Sequence, residues 1–237
     1  MRKLLFIATV LMFLASCKET KSEKNFVLTG NVKGLKNGTL IIQRVKDTVL
    51  VPIDTIKITG DSHFKSEFDL NSPEMLYLFL DRGVTNSLDN NLPFFAEPGV
   101  MNIETSLDFF TSDAKITGSK NQELYDEYKK VTSRFVDKNL TLIQQKFTLY
   151  KDGKLDQMNA IEEQQKDNIK RKYLYTTNFA VNHADYEVAP YVTLAEIYDI
   201  NFKYLDTIKK SLTPRVAKSL YGKKFLEYYK ERQKMGK

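Results

Sequence analysis

The chain has 237 residues, of which 42% are hydrophobic and 28% charged, and 36 basic against 30 acidic side chains leave a formal net charge of +6. That balance belongs to a globular protein and excludes both a disordered chain and a membrane bundle. One Cys and two His exclude a disulfide framework and a Cys/His zinc site built from one copy.

Arg2 and Lys3 form a short positive start, and Leu4 to Ala15 is an apolar run interrupted only by Thr9. The run is shorter than the ~20 residues of a membrane-spanning helix and has the length of a signal-peptide core. Leu14-Ala15-Ser16-Cys17 then sets small residues directly before the one Cys of the chain, the arrangement of a lipobox. Residues 1–16 are thus expected to be a lipoprotein signal, with Cys17 acylated as the new N-terminus and residues 17–25 a polar tether. Each buried CH₂ contributes ~0.8 kcal/mol, so two or more acyl chains give stable anchoring. The expected address is the envelope of a Gram-negative bacterium, lipid-anchored at the outer membrane, with the membrane face left open. An acylated Cys17 also leaves no free thiol, which removes thiol-nucleophile and thiol-disulfide chemistry from this chain acting alone.

From Phe26 to about residue 118 the pattern is β-like. Phe26–Val32 partly alternates, Thr39–Ile42 follows after Gly34 and Gly38, and Val49–Thr59 is rich in Val, Ile and Thr, with Pro52 suited to an edge or a bulge. Gly60-Asp61 marks a turn, Met75–Asp81 is a continuous apolar strand, and Glu97-Pro98-Gly99 fits a type II turn before Val100–Thr105. About seven short strands predict an antiparallel β-sandwich or open barrel.

The period changes at Gly118, so residues 119–237 are read as a helical domain and the fold class as α+β. Ser119-Lys120-Asn121-Gln122 fits a capping box, with Ser119 accepting from a backbone N–H and Gln122 reaching back. Leu124, Tyr128, Val131, Phe135, Leu142 and Leu149 recur at helical steps, and Val136, Leu140, Ile143 and Phe147 fill a neighbouring stripe. Lys151-Asp152-Gly153 ends this helix. A second from about Leu155 to Asn182 completes a hairpin, followed by helices near Val188–Ile200 and Phe202–Ser211. Thr213-Pro214 predicts the start of a last helix running to about Gln233.

Candidate chemistry is sparse. His63 and His183 are too few for zinc, no G-x-S-x-G elbow accompanies them, and both read as surface or capping residues. No glycine-rich phosphate cradle is present, and Asp89-Asn90-Asn91 lacks the rest of a calcium loop. Glu97 and Asp54 are the carboxylates that a hydrolase reading would use; no catalytic residue, metal or cofactor is predicted. The basic residues are dispersed on amphipathic helices, which argues against nucleic acid. Nine of the 13 tyrosines fall between Tyr173 and Tyr229. Tyr191, Tyr198 and Tyr204 are the ligand-binding candidates, against the alternative that these rings are helical core.

Phe26-Val27-Leu28-Thr29-Gly30-Asn31-Val32-Lys33-Gly34, the Asp54-Thr55 to Phe64 hairpin, Glu97-Pro98-Gly99, Gly118-Ser119-Lys120-Asn121, Pro190-Tyr191 and Tyr204-Leu205-Asp206 follow one another in an order that resembles the domain-of-unknown-function family numbered 4369. The resemblance runs over most of residues 26–235. It implies a Bacteroidetes lipoprotein of a kind commonly joined to a thioredoxin-like (AhpC/TSA-type) domain. The sequence given ends at Gly236-Lys237 without a C-x-x-C pair, so redox activity is not carried over. The expected role is a membrane-anchored, non-catalytic binding or spacer module. The alternatives are an accessory partner or remnant of an envelope thioredoxin-like protein, and an envelope glycan or peptide hydrolase.

Overall fold

A computed structural model describes residues 23–83 and 88–236. The signal sequence, Cys17 and most of the tether lie outside the described residues. Among the described residues eight strands come first: β1 Phe26–Lys33, β2 Asn37–Lys46, β3 Val49–Thr59, β4 His63–Phe68, β5 Glu74–Asp81, β6 Asn91–Ala96, β7 Gly99–Ser106 and β8 Lys115–Thr117. Six helices follow: α1 Lys120–Lys151, α2 Met158–Asn182, α3 Val188–Glu196, α4 Phe202–Ser211, α5 Pro214–Ala217 and α6 Leu220–Lys234. A 3-10 turn, Leu88–Asn90, precedes β6, and another, Leu155–Gln157, opens α2.

The strands form two four-stranded sheets, β4-β1-β7-β8 and β3-β2-β5-β6, and neither closes into a barrel. The expected antiparallel order holds for every pair except β1 with β7, which is parallel. A parallel pair needs a long connection, and here the chain builds the whole second sheet between the two strands. Alternation on β1 sends Phe26, Leu28 and Val32 inward against Leu40, Ile42, Leu76, Leu78, Leu80, Phe94, Met101 and Ile103. Pro52 lies on the edge strand β3, where its missing N–H costs no ladder bond, beside the register shift opposite Ile42 and Gln43. The edges of the two sheets meet at β3 and β4, where the Ser66 hydroxyl donates to Asp54 Oδ2 at 2.5 Å.

The continuous apolar run of β5 has a direct cause. Leu76, Leu78 and Leu80 face the sandwich core, while Met75 and Tyr77 face a second cluster shared with the helices. A strand covered on both faces loses the polar alternation of a half-exposed one. The outer face of β5 and β6 is therefore the floor on which Leu124, Tyr128, Phe179, Val188 and Val192 sit. The helices beyond it close a third core around Ala180, Ala189, Leu205, Ile208, Phe225 and Tyr229.

The structure redraws three local details. Glu97-Pro98 is an open bend instead of a hydrogen-bonded type II turn, although Gly99, with φ +135°, still uses a conformation that favours glycine. The helix near Val188 ends at Glu196, four residues short of the expected Ile200. The last helix is two: α5 stops after one turn, and Ser219 caps α6 by accepting from the Gly222 N–H. The break brings α6 against the end of α5 so closely that a Cβ on Gly222 would stand 1.9 Å from the Val216 carbonyl oxygen.

Gly30 gives the sharpest test of sandwich packing. A Cβ there would meet the Ile103 carbonyl oxygen at 2.3 Å and the Phe64 ring at 2.6 Å. Gly30→Ala is expected to lower unfolding free energy by about 1–3 kcal/mol, the usual cost of overpacking, in urea titrations followed by tyrosine fluorescence. An unchanged midpoint would show that β1 and β4 do not approach as described.

Candidate functional site

The densest polar and aromatic constellation lies where the second sheet meets the helices. β6 is the edge of that sheet, so its outward N–H groups lack a strand partner. The Phe95 N–H donates to Gln122 Oε1 at 2.6 Å, and Pro93, on the same parity of the strand, has no N–H to expose. In return the bend after β6 serves the helix. Glu97 Oε1 accepts from the Lys120 N–H at 2.9 Å, and Glu97 Oε2 accepts from the Asn121 N–H and side-chain amide at 3.2 and 2.8 Å. A carboxylate at the α1 N-terminus also meets the positive end of the helix dipole. Ser119 is the N-cap as expected, accepting from the Gln122 N–H at 3.0 Å. Gln122 does not close the capping box. Its amide oxygen is taken by the strand edge, and its Nε2 donates to Asp126.

Asn121 carries the network across the helices. Its Nδ2 also donates to Glu187 Oε2 at 3.1 Å, and its Oδ1 accepts from the Val188 N–H at 2.8 Å, at the start of α3. Glu187 is buried and receives Arg215 Nη1 at 2.5 Å, while Arg215 Nη2 donates to the Asp185 carbonyl. Gly118 makes the approach possible: its φ is +95°, and a Cβ would stand 2.2 Å from the Val100 carbonyl oxygen.

Beside this network, Phe95, Tyr125, Tyr191 and Tyr221 pack edge-on or tilted with ring centroids 4.9–5.9 Å apart. Tyr221 accepts from the Met75 N–H at 2.9 Å, and Ser72 accepts from the Leu220 N–H at 3.0 Å, so the start of α6 is bonded to the start of β5. Burial, reinforced by the nearby Glu196 charge, pushes the Tyr125 hydroxyl up to about 12. Burial likewise drives Tyr128, Tyr191 and Tyr221 well above the ordinary tyrosine range. These hydroxyls are held protonated and act as donors and acceptors within the core. Glu74, nearly buried at the same end of β5, pairs with Arg44 Nη2 at 2.8 Å; burial raises its carboxyl while Arg44 and Lys224 pull it back.

The three tyrosines singled out as ligand candidates do not converge. Tyr191 belongs to the junction cluster. Tyr204 lines a groove of about 370 Å³ with Lys166, Ile169, Lys170, Tyr173 and Ile200. Tyr198 exposes its side chain, and its carbonyl accepts from Arg232 Nη1 at 2.7 Å. The two candidate carboxylates are both engaged, Glu97 on the α1 N-terminus and Asp54 on Ser66 and the Thr55 N–H. His63 is exposed and paired with Asp61, and His183 is the C-cap of α2, its ring tilted against Phe179 with centroids 4.5 Å apart. Sequence reading missed Asn121, Glu187 and Arg215 as a set, because partners 66 and 28 residues apart leave no local spacing signal. Among the described residues no group of three His, Cys, Asp or Glu is placed to hold a metal ion.

Asn121→Asp isolates the network. It replaces a donor facing two carboxylates with a third carboxylate, so about 3–5 kcal/mol of stability is expected to disappear at neutral pH, as for an uncompensated buried charge. The new carboxyl is harder to ionise in the folded than in the unfolded state, so the loss is present above the ordinary carboxyl range and shrinks as pH falls through it. Urea titrations at neutral and acidic pH measure this; an equal deficit at both would contradict the described contacts.

The raised tyrosines set a second window. Their neutral form stabilises the fold fully below pH 10 and is lost as pH rises from 10 through about 12 for Tyr125. Tyrosinate absorbance is expected to show the cluster ionising together with loss of the helical circular dichroism; ionisation of every tyrosine near pH 10 with helix intact would contradict the burial.

Residues 26–125 match the family model described as Domain of unknown function (DUF4369). No curated protein and no solved structure matches the chain. The matched span takes in all eight strands, Glu97, and the start of α1 with Ser119, Asn121 and Gln122, and it stops before Glu187 and Arg215, well short of residue 235. The sandwich and the helix start that caps its edge are the part of the chain that is similar to this family.

Proposed function

We propose that the chain is a non-catalytic binding or spacer module of the cell envelope, held to a membrane by acylated Cys17. One observation carries the non-catalytic reading: the candidate carboxylates Glu97 and Asp54, and the buried Glu187 and Glu74, are spent on structure. Glu97 caps α1, Asp54 joins the two sheet edges, Glu187 neutralises Arg215 and Glu74 neutralises Arg44. A general acid or base must exchange a proton with a substrate, and these four carboxylates instead accept from backbone N–H groups, from the Ser66 hydroxyl or from a guanidinium. The anchor reading rests on the sequence before residue 23. No helix among the described residues is long and apolar enough to cross a membrane.

The groove at Tyr204 is the place a small ligand would meet this body. Its lining combines Ile169, Leu174, Tyr173 and Ile200 with Lys166, which pairs with Glu163, and Lys170, a composition that suits an apolar group that carries negative charge.

Two measurements test the reading. Labelled palmitate fed to expressing cells is expected to enter the wild type and not Cys17→Ser; equal label in both would remove the anchor. Residues 18–237, which contain no Cys, are expected to show no insulin reduction and no peroxide consumption above buffer, because both reactions need a thiolate or a redox cofactor. Turnover that survives repurification would overturn the non-catalytic role, and turnover only with an added envelope thioredoxin-like protein would favour the accessory role.

A further inference from the structure

The outer face of α1 carries apolar side chains left largely exposed; Lys151 of the same helix reaches over one of them, its ammonium 5.3 Å from the centre of the Phe147 ring. Val136, Leu140, Ile143, Phe147 and Tyr150 follow one another at steps of four, three, four and three, and each is 46–65% exposed. Alternating three- and four-residue steps are the seam of a two-stranded coiled coil, in which these positions read d, a, d, a, d. The seam is separate from the face that α1 gives to α2. That face holds buried Leu142 and half-buried Phe135 and Leu149, and lies roughly 100° around the helix. The polar contacts in this half of α1 also run to α2. Asn168 Nδ2 donates to the Phe135 carbonyl at 2.8 Å, and Lys146 pairs with Glu162 at 2.7 Å. The hairpin is thus braced on one side and bare on the next.

We propose that this seam pairs with the same seam of a second copy of the chain, the two α1 helices running antiparallel. Two arguments select that occupant. The first is charge. On the flank of the seam away from α2 stand Asp137, Gln144 and Lys151, all exposed. In an antiparallel pair, a positions pack on d positions and this flank meets its own copy. Leu140 then faces Tyr150 of the second copy and Ile143 faces Phe147. The same register sets Asp137 against Lys151 at each end and Gln144 against Gln144 at the two-fold axis. On the other flank Lys146 meets its own copy once, each already paired with Glu162 of its own chain; a parallel pair would instead bring Lys146 beside Lys151 twice and lose both Asp137–Lys151 pairs. The second argument is area. Three aliphatic and two aromatic side chains, each about half exposed, offer roughly 500 Å² per copy. The flanking residues bring the total toward the ~800 Å² per partner of a specific contact. That size fits a reversible dimer whose subunits remain folded when apart.

Sedimentation velocity on residues 18–237 over a range of concentrations reads the association. A concentration-dependent dimer is expected, and Phe147→Glu, which buries a carboxylate in the seam, is expected to weaken it at least about tenfold while leaving the thermal melt unchanged at dilutions where both proteins are monomers, since the side chain is exposed in the single chain. Asp137→Lys and Lys151→Asp are each expected to weaken self-association, and an equimolar mixture of the two variants is expected to form the heterodimer, in which both end pairs are again opposite in sign. A monomer at every concentration would overturn the proposal. So would a dimer indifferent to Phe147→Glu, or charge variants that do not rescue one another. Binding of wild type, but not Phe147→Glu, to anionic phospholipid vesicles with no dimer would assign the seam to a lipid surface instead.

Discussion

An edge strand and a helix N-terminus each leave backbone groups without partners, and in this chain each supplies what the other lacks. Phe95 on β6 has an outward N–H, which the side chain of Gln122 in the first turn of α1 accepts. Lys120 and Asn121 have N–H groups with no intrahelical acceptor, which the Glu97 side chain just past β6 accepts. Leaving one such group buried and unpaired costs about 1–3 kcal/mol, so a shift of the helix along the edge would forfeit several bonds at once. The position of the helical half relative to the sandwich follows from this exchange.

Once α1 is fixed, the rest of the third layer is constrained. Asn121 reaches the first turn of α3 and the buried Glu187, and Glu187 holds Arg215 on α5. The tyrosines fill the space between the sheet and the helices because Tyr combines a large apolar ring with a hydroxyl that can answer a stray backbone N–H, as Tyr221 does for Met75. Their hydroxyls resist ionisation for the same reason that they fit: they are buried among rings and away from water. The distal half of α1 escapes all of this. Beyond Phe135 it is braced by α2, and its second apolar stripe is left for a partner outside the chain.

Much of the fold is legible in the sequence, where local chemistry decides structure. Alternation in Phe26–Val32, the two-sided apolar run of Met75–Leu80, Pro52 at an edge, and Ser119 as a cap are all short-range signals. The parallel pairing of β1 with β7 was not legible, because it joins residues about 73 apart and parallel strands share the same alternation as antiparallel ones. The split between α5 and α6 was hidden because Thr213-Pro214 and Ser219 are both acceptable caps, and the choice to use both is made by the tight contact of Gly222 with Val216. The capping-box reading of Gln122 failed for a related reason: a strand edge from elsewhere in the chain competes for the same side chain. The short motifs that carry the family resemblance, Glu97-Pro98-Gly99 and Gly118-Ser119-Lys120-Asn121, meet at this one joint. Their residues are legible as a pattern, and the structure supplies the physical reason for the pattern.

Native-state hydrogen exchange resolved by residue reports on that joint most directly. If Gln122 closes the β6 edge, the Phe95 amide exchanges as slowly as amides of the central strand β5. In Gln122→Ala, it is expected to exchange by local fluctuation while the β5 amides stay slow. Rapid exchange of Phe95 in the wild type would mean that the edge is open to water and that Gln122 does not close it.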